Sequence, residues 1–252
     1  MKQGKRALAG AFALTGLLAT AGPAMAAGRV IAVDGVSKTN ADRRVEILVH
    51  VPAGENANDA ADRALAGQGA KKAPKPPAPP QESSYTFTGL KWDVLPVTQN
   101  YNPSGQRTAG AQTALTNTYP DWSGVLGSNY RIQFGGTTTR CPSLVRECPG
   151  AQKNDRLNDV GWAQLANGTL GVTWSTSGTD EADMAINTRY TWNTGCTAVA
   201  GSFDLESVIL HENGHVAGLG HSTDTSAVMY PSYQTARCAL AQDDKNGLAA
   251  LY

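Results

Sequence analysis

The sequence predicts an α+β protein in which a small N-terminal module precedes a larger domain. Residues 45–51 alternate between apolar and polar side chains, which is the period of a half-buried strand. Residues 58–66 are rich in alanine and follow polar residues suited to cap a helix. Five prolines lie within residues 71–82 and predict an extended linker. These observations divide the chain into a module at 27–70, the linker at 71–82 and a domain at 83–252.

The first 26 residues have the pattern of a secretory signal peptide. A basic start at residues 1–6 is followed by an apolar run at 7–21 and by an Ala-Met-Ala sequence that ends at Ala26. The alternative is a membrane anchor, but this run is short for a span and rich in small residues. We therefore expect cleavage after Ala26 and a protein that is secreted to the extracellular space, with no membrane association afterwards.

The N-terminal module is predicted to have a ββα arrangement. Strands are expected at 29–33 and 45–51, and the helix at 58–66 ends before Gly67, a residue that favours a helix terminus. A module of about 45 residues buries little core by itself. Two roles fit it: a propeptide that is removed or regulatory, and a permanent accessory domain. For the proline-rich linker, a stiff spacer is favoured over a ligand for an SH3-type domain.

The domain at 83–252 has the length of a single globular unit. A helix is predicted at 108–119, and another is expected to begin at Asp204, a favourable N-cap residue. The predicted strands are 90–102, 130–134 and 170–175. The apolar residues of the second helix that would face the core are Leu205, Val208, Ile209 and Val216.

Composition and charge give no indication of binding to nucleic acid or to an anionic membrane. Lysine and arginine balance aspartate and glutamate at 21 each, so the formal net charge is zero. The basic cluster of Lys71, Lys72 and Lys75 is too small to predict binding to nucleic acid or to an anionic membrane.

The four cysteines predict two disulfide bonds. They are Cys141, Cys148, Cys196 and Cys238, an even set in a chain expected to be exported. A zinc site is the alternative, but the sequence contains no C-x-x-C pair. Of the three pairings that four cysteines allow, we favour Cys141 with Cys148 and Cys196 with Cys238.

Three of the four histidines lie within residues 211–221, in the sequence H-E-N-G-H-V-A-G-L-G-H. On a helix, residues four apart share one face, so His211 and His215 can direct imidazole nitrogens at one metal ion. Such nitrogens bind zinc at about 2.0 to 2.1 Å. Glu212 lies at the rim of the same face. There its carboxylate can take a proton from a metal-bound water without being a metal ligand itself.

The third histidine, His221, cannot share that face because it lies ten residues beyond His211. Gly218 can take the left-handed conformation that ends many helices, and Gly220 adds freedom before His221. Three neutral imidazoles leave zinc one open tetrahedral position, and such sites bring water to a pKa of about 7.

These residues fit the metzincin signature H-E-x-x-H-x-x-G-x-x-H, and the sequence A-V-M-Y-P-S-Y at 227–233 resembles the Met-turn of the matrixins. A lone H-E-x-x-H occurs by chance, and a single histidine or methionine is ordinarily a core residue. The long signature with its glycine, third histidine and downstream methionine argues against that interpretation. The chain thus resembles a matrixin-like metzincin zinc metalloprotease, most strongly from Asp204 onward.

The resemblance implies a twisted, mostly parallel sheet packed on helices, with a zinc helix and a Met-turn. It also implies that 180–187 is the strand before the zinc helix and that 243–252 contains the closing helix. Residues 170–175 would be the sheet edge above the cleft, to which an extended peptide can add as another strand.

The same resemblance implies a secreted zinc metalloendopeptidase with one catalytic zinc and Glu212 as general base. Met229 would underlie the zinc site, and the segment containing Pro231 and Tyr233 would wall the S1′ pocket. The expected partners are protein or peptide substrates, and we expect a monomer. The alternative is an exported zinc-binding module without turnover, such as an adhesion or inhibitor-like domain.

Two features of the family are missing from the sequence. No cysteine precedes Cys141, so the cysteine-switch latency of matrixins has no ligand here. His50 is the only histidine outside the motif, so a second, structural zinc site cannot be built in the catalytic domain. Calcium sites on irregular loops have no readable spacing, and solvated surface acids are the alternative. The acids considered as calcium ligands are Asp155, Asp159, Asp180 and Asp183.

Overall fold

The computed structural model describes residues 28–39, 42–74, 83–142, 155–176 and 180–252. The helices are α1 (Ala57–Gly67), α2 (Ala111–Ser123), α3 (Leu205–Val216) and α4 (Gln242–Leu251). The strands are β1 (Gly28–Ser37), β2 (Arg43–Pro52), β3 (Ala70–Lys72), β4 (Val97–Tyr101), β5 (Ile132–Thr137), β6 (Asn158–Ala163), β7 (Thr169–Thr176), β8 (Glu181–Asn187), β9 (Trp192–Asn193) and β10 (Phe203–Asp204).

Two predicted features, the signal peptide at 1–26 and Cys148, lie outside the described residues. Most of the proline-rich linker, residues 75–82, lies outside them as well. Within the described ranges, no helix has both the length and the apolar character that crossing a membrane requires.

One sheet of eight strands dominates the described part of the chain, in the order β3-β1-β2-β7-β8-β6-β4-β5. Strands β5, β4, β6 and β8 pair in parallel, whereas β7 pairs antiparallel with β8. The part built from residues 83–252 is therefore mostly parallel, as expected. The whole sheet is mixed because β1, β2 and β3 add antiparallel pairs.

The N-terminal module joins this main sheet. Strands β1 and β2 form a hairpin, and β2 pairs along β7 from Arg43 opposite Thr176 to Val49 opposite Thr169. The expectation that β7 is an exposed sheet edge is therefore wrong, because β2 occupies the backbone groups on that side. The shared sheet also gives the small module the partner that a segment of its size needs.

Strand β3 revises the boundary expected between module and linker. Lys71 and Lys72 belong to β3, which pairs with β1, although residues 71–82 were expected to be linker. Proline is the physical reason that the strand ends soon afterwards, since it has no N–H to donate to a sheet. The first proline of the run is Pro74.

The sheet separates two hydrophobic clusters. One packs against α2 and α3 and includes Trp122, Leu115 and Leu210. The other packs against α1 and includes Trp174 and Ile47. Strand β2 contributes to both, because Ile47 and the valines of this strand belong to the α1 cluster, whereas Leu48 belongs to the cluster that contains α3.

Helix α3 is held at both ends and in the middle by side chains. Asp204 accepts a hydrogen bond from the Ser207 backbone N–H at 2.8 Å, the N-cap that the sequence predicts. The indole of Trp122 donates to the carbonyl oxygen of Leu210 at 3.0 Å. The indole of Trp92 donates to the carbonyl oxygen of Val216 at 2.6 Å and so satisfies one of the carbonyls left free at the helix end.

Some predicted element boundaries differ from the structure. Strand β4 covers only 97–101 of the predicted 90–102, and α2 begins at Ala111 and continues to Ser123 rather than ending at residue 119. Strand β6 was not predicted because Asn158 and Asp159 interrupt its apolar pattern. In the structure the Asn158 side chain is satisfied by backbone, since it donates to the carbonyl oxygen of Thr98 at 3.0 Å and accepts from the Ala182 N–H at 2.7 Å.

A disulfide bond joins Cys196, before α3, to Cys238, before α4, across 42 residues of sequence. We predict that the double variant Cys196→Ser/Cys238→Ser loses about 2 to 4 kcal/mol of unfolding free energy, because the unfolded chain regains the freedom of an open loop. Chemical denaturation of the variant and the wild type measures this difference. An unchanged denaturation midpoint would show that the bond does not stabilise the fold.

Gly214, inside α3, allows close packing of Met229 on the helix. A Cβ at this position would overlap Sδ of Met229 and lie 2.9 Å from Cζ2 of Trp122. Helix propensity alone would make Gly214→Ala stabilising by about 0.5 to 1 kcal/mol. We predict instead a loss of about 1 to 3 kcal/mol, the usual cost of overpacking a core.

A double-mutant cycle isolates that overlap. Met229→Ala removes the sulfur, so Gly214→Ala should cost less in the Met229→Ala background than in the wild type. Urea denaturation of the four proteins gives the coupling energy. Strictly additive costs would mean that Gly214 is not required for the contact with Met229.

Candidate metal centre

The structure brings the three histidines of the motif together. His211 and His215 lie one turn apart on α3, and His221 follows the end of that helix. Their ring centroids are 4.7 Å apart for His211 and His215, 4.7 Å for His215 and His221, and 5.4 Å for His211 and His221. One nitrogen of each ring lies within 4.8 Å of the others, so the three side chains can share one ion.

The turn at Gly218 delivers His221 to the helix face. Gly218 has φ of 99°, the left-handed conformation predicted for it. A Cβ there would overlap the carbonyl oxygen of Leu90. Gly220 is packed rather than free, since its N–H donates to the carbonyl oxygen of Thr86 at 2.8 Å, and the Thr86 hydroxyl donates to the carbonyl oxygen of His221 at 2.8 Å.

Backbone carbonyls fix the orientation of the first two rings. Nδ1 of His211 lies 2.7 Å from the carbonyl oxygen of Val228, and Nδ1 of His215 lies 2.8 Å from that of Leu219. A carbonyl oxygen only accepts, so both Nδ1 atoms carry the proton. Each neutral ring then presents the lone pair of Nε2, the arrangement common in histidine ligands of metals.

The two Nε2 atoms face each other at 3.0 Å. With both protons on Nδ1, no proton remains between these lone pairs, and they repel each other unless a cation lies beside them. Tetrahedral zinc with ligands at 2.0 to 2.1 Å would hold two such nitrogens about 3.3 Å apart. Nε2 of His221 is also buried without a hydrogen-bond partner. The donor set therefore fits a zinc ion.

The protein environment keeps the His211 and His215 imidazoles neutral. Burial, together with the nearby His221, lowers the pKa of His211 to about 3. Burial and the two neighbouring histidines lower the pKa of His215 well below its usual value. Neutral imidazole is the form that binds a metal, so no proton has to leave these two rings at neutral pH.

Glu212 follows His211 on α3 and has one oxygen held by a hydrogen bond and one without a partner. The Thr173 hydroxyl on β7 donates to Oε2 at 2.5 Å, whereas Oε1 is buried with no hydrogen-bond partner. Burial raises the pKa of Glu212 to about 8, although the Thr173 hydrogen bond acts in the other direction. A bound divalent cation would oppose this rise by favouring the charged carboxylate.

Asp244 on α4 positions the segment that carries Met229. Its two carboxylate oxygens accept from the backbone N–H groups of Val228, at 2.8 Å, and Met229, at 3.0 Å. Met229 is 1% exposed and packs under α3. Because the adjacent Val228 carbonyl orients His211, Asp244 acts on the centre through this turn. This role of Asp244 is not predictable from the sequence, since nothing in its spacing connects it to residues 211–221.

Pro231 and Tyr233 lie beside the centre but make different contacts. The Tyr233 hydroxyl accepts from the Asp204 backbone N–H at 3.0 Å, which ties this segment to the start of α3. The Pro231 carbonyl oxygen accepts from the N–H of Ala32 on β1 at 2.7 Å. Tyr233 lines a small cavity together with His211 and Val228.

Asp34 of the N-terminal module reaches the third histidine. Its Oδ1 lies 2.6 Å from Nδ1 of His221, a contact that favours a proton on Nδ1 and a lone pair on Nε2. Burial tends to raise the pKa of Asp34, but His221 and a hydrogen bond with Glu46 lower it overall. Burial and the Asp34 charge raise the pKa of Glu46 well above its usual value. The two carboxyl groups thus share one proton, with the charge on Asp34.

The acids considered for calcium make contacts with protein groups. Asp159 accepts a bidentate pair from Arg140, at 2.9 and 2.7 Å. Asp183 accepts from the Asp159 N–H, and Asp155 accepts from the Leu157 N–H. Among the described residues, the groups with metal-binding geometry contain none of the four acids.

Several known proteins are similar in sequence to parts of this chain. Residues 153–252 match the family model described as Matrixin. Metalloendoproteinase 1 of Glycine max is 55% identical over 56 residues, covering 21% of this chain and 18% of that protein. Interstitial collagenase of Oryctolagus cuniculus is 30% identical over 169 residues, covering 64% of this chain and 33% of that protein. Metalloendoproteinase 1-MMP of Arabidopsis thaliana is 39% identical over 93 residues, covering 34% and 25%.

The chain spans a third or less of the length of these relatives, at 18%, 33% and 25%. The match to the family model nevertheless includes α3, all three histidines of the centre and Met229. This match, the signature at 211–221 and the mixed sheet together support a matrixin-like metzincin family for the chain.

Proposed function

We propose that the protein is a secreted zinc metalloendopeptidase that hydrolyses peptide bonds in protein or peptide substrates. The observation that supports this proposal is the convergence of three imidazole nitrogens beside a glutamate oxygen that has no other partner. Binding zinc would need only the histidines. The position of Glu212 therefore favours hydrolysis over a zinc-binding module without turnover.

His211, His215 and His221 would hold the zinc. When bound, zinc supplies Lewis-acid polarisation of the scissile carbonyl and makes the attacking water more acidic. Glu212 takes the proton of that water on Oε1, and Thr173 keeps the carboxylate oriented by holding Oε2. Glu212 then returns the proton to the leaving amine.

Backbone segments on both sides of the centre would orient the substrate. Strand β7 carries Thr173 and lies directly against Glu212, since a Cβ at Gly171 would be 2.9 Å from Oε1. An extended peptide paired with β7 would therefore pass beside the carboxylate. The segment with Pro231 and Tyr233 would take a side chain next to the scissile bond.

One prediction of this proposal distinguishes the general base, Glu212, from the three histidine ligands. Glu212→Gln keeps the size of the side chain and leaves the three imidazoles in place, so zinc content should stay close to one per chain. Hydrolysis of casein should fall by at least about 10²-fold, because the proton acceptor is lost. Glu206→Gln is a matched control, since Glu206 lies on the same helix and contacts Asn117 instead of the centre.

Activity is measured on the intact chain and after limited proteolysis in residues 75–82, together with zinc content. A Glu212→Gln enzyme with near wild-type turnover in either form would contradict the proposed mechanism. A wild type that binds zinc and cleaves nothing in either form would favour the module without turnover.

Another prediction of this proposal concerns the zinc ligands. His215→Ala should lose zinc and activity together, and its unfolding free energy should no longer rise when zinc is added, because metal binding is coupled to folding. His50→Ala removes the histidine outside the motif and should leave zinc content unchanged. If His215→Ala holds zinc as the wild type does, His215 is not a ligand.

A further inference from the structure

The hairpin of β1 and β2 spans the space between β7 and the segment that contains Pro231. On one side, β2 pairs antiparallel with β7 from Thr176 to Thr169. On the other side, the N–H of Ala32 on β1 donates to the Pro231 carbonyl oxygen at 2.7 Å. Both backbone surfaces that would orient an extended peptide beside Glu212 are thus occupied by the chain itself.

Leu48 borders the cavity beside the centre. It is 3% exposed and lines this cavity with His211, Val228, Tyr230 and Tyr233. The space that remains is about 20 Å³, enough for roughly one water molecule. Leu48 thus occupies the place of an apolar substrate side chain.

The ladder between β2 and β7 changes register at Leu48, between Ile47 and Val49. Ile47 lies opposite Val172 and Val49 lies opposite Thr169, so Leu48 faces residues 170–171. Gly171 is the residue that lies against Glu212. The irregularity therefore coincides with the position of the candidate base, and bulges commonly re-aim a side chain at such places.

Charged groups fix the two ends of this arrangement. Asp34 lies beside His221 at one end. At the other end Arg43 is 4% exposed, and its charge interacts with those of Asp183 and Glu181. With the hairpin in this position, His211, His215 and Glu212 are 4%, 1% and 0% exposed.

We infer that residues 28–52 are an intramolecular ligand of the cleft, with β2 in the position of an extended peptide and Leu48 in the side-chain cavity. The intact chain is then closed to peptides until this hairpin is displaced or removed. The inference names the regulation of the proposed peptidase centre, and therefore rests on the proposed function.

A binding experiment on the full chain tests this inference without requiring hydrolysis. The probe is a fluorescently labelled peptide with the sequence of residues 43–52, followed by anisotropy. Leu48→Asp puts a charge into the apolar cavity and should free the cleft, so that this variant binds the probe at least about tenfold more tightly than the wild type does. Leu126→Asp is the matched control, because the same change is made at a side chain that is 93% exposed.

A second protein covers the case in which Leu48→Asp does not fold. A site for a sequence-specific protease is placed within residues 75–82, the folded chain is cut, and the severed module is exchanged against excess labelled peptide. Exchange is expected with the cut protein and not with the uncut one. The same peptide carrying Asp in place of Leu48 should bind neither protein.

The outcomes are distinct. Equal binding of the probe by wild type and Leu48→Asp overturns the inference, and so does a failure of both the Leu48→Asp and the severed protein to bind it. Tight binding by these two proteins with hydrolysis of casein supports both the inference and the proposed function. Tight binding without hydrolysis supports the closed cleft and contradicts the peptidase.

Discussion

The centre depends on keeping three imidazole rings neutral and oriented while they are packed side by side. Two backbone carbonyls, from Val228 and Leu219, hold the Nδ1 protons of His211 and His215. Burial disfavours a charge on these rings, so their Nε2 lone pairs stay available. At 3.0 Å these lone pairs repel unless a cation lies beside them. The fold therefore assembles a site that a bound cation would stabilise.

Each ring is oriented by a different part of the chain. Asp244 holds the turn that presents the Val228 carbonyl, and the left-handed Gly218 permits the turn that presents the Leu219 carbonyl. The third ring meets Asp34, which comes from the N-terminal module. The hairpin that carries Asp34 also pairs with β7 and lines the cavity beside His211. The orientation of the His221 ring and the coverage of β7 are thus linked through one pair of strands.

The residues of the centre were predictable from the sequence because they lie close together in it. Histidines at positions 211, 215 and 221 with Gly218 specify a helix, a stop and a turn without reference to the rest of the chain. Thr173, Asp244 and Asp34 could not be assigned in this way. They reach the centre only through pairing of strands and packing of α4 that are remote in sequence, and no spacing records those contacts.

The same distinction holds for the fold. The alternation in β2 predicted a strand, and Asp204 predicted the start of α3, because both are local patterns. In that alternation Glu46, Leu48 and His50 lie on the face opposite the valines and Ile47, and Glu46 and Leu48 are buried in the structure. Which sheet β2 joins depends on β7, more than a hundred residues later in the chain. The burial of the face that carries Glu46 and Leu48 therefore follows from tertiary contacts and not from the local pattern.

The most direct test of this account is a crystal structure of the intact chain grown with zinc, with anomalous data collected at the zinc edge. The account predicts one peak at about 2.0 to 2.1 Å from the Nε2 atoms of His211, His215 and His221, with β2 still paired to β7. Asp34, Glu46 and His221 form the competing group of potential ligands. A peak within that set, or no peak beside the three Nε2 atoms, would contradict it.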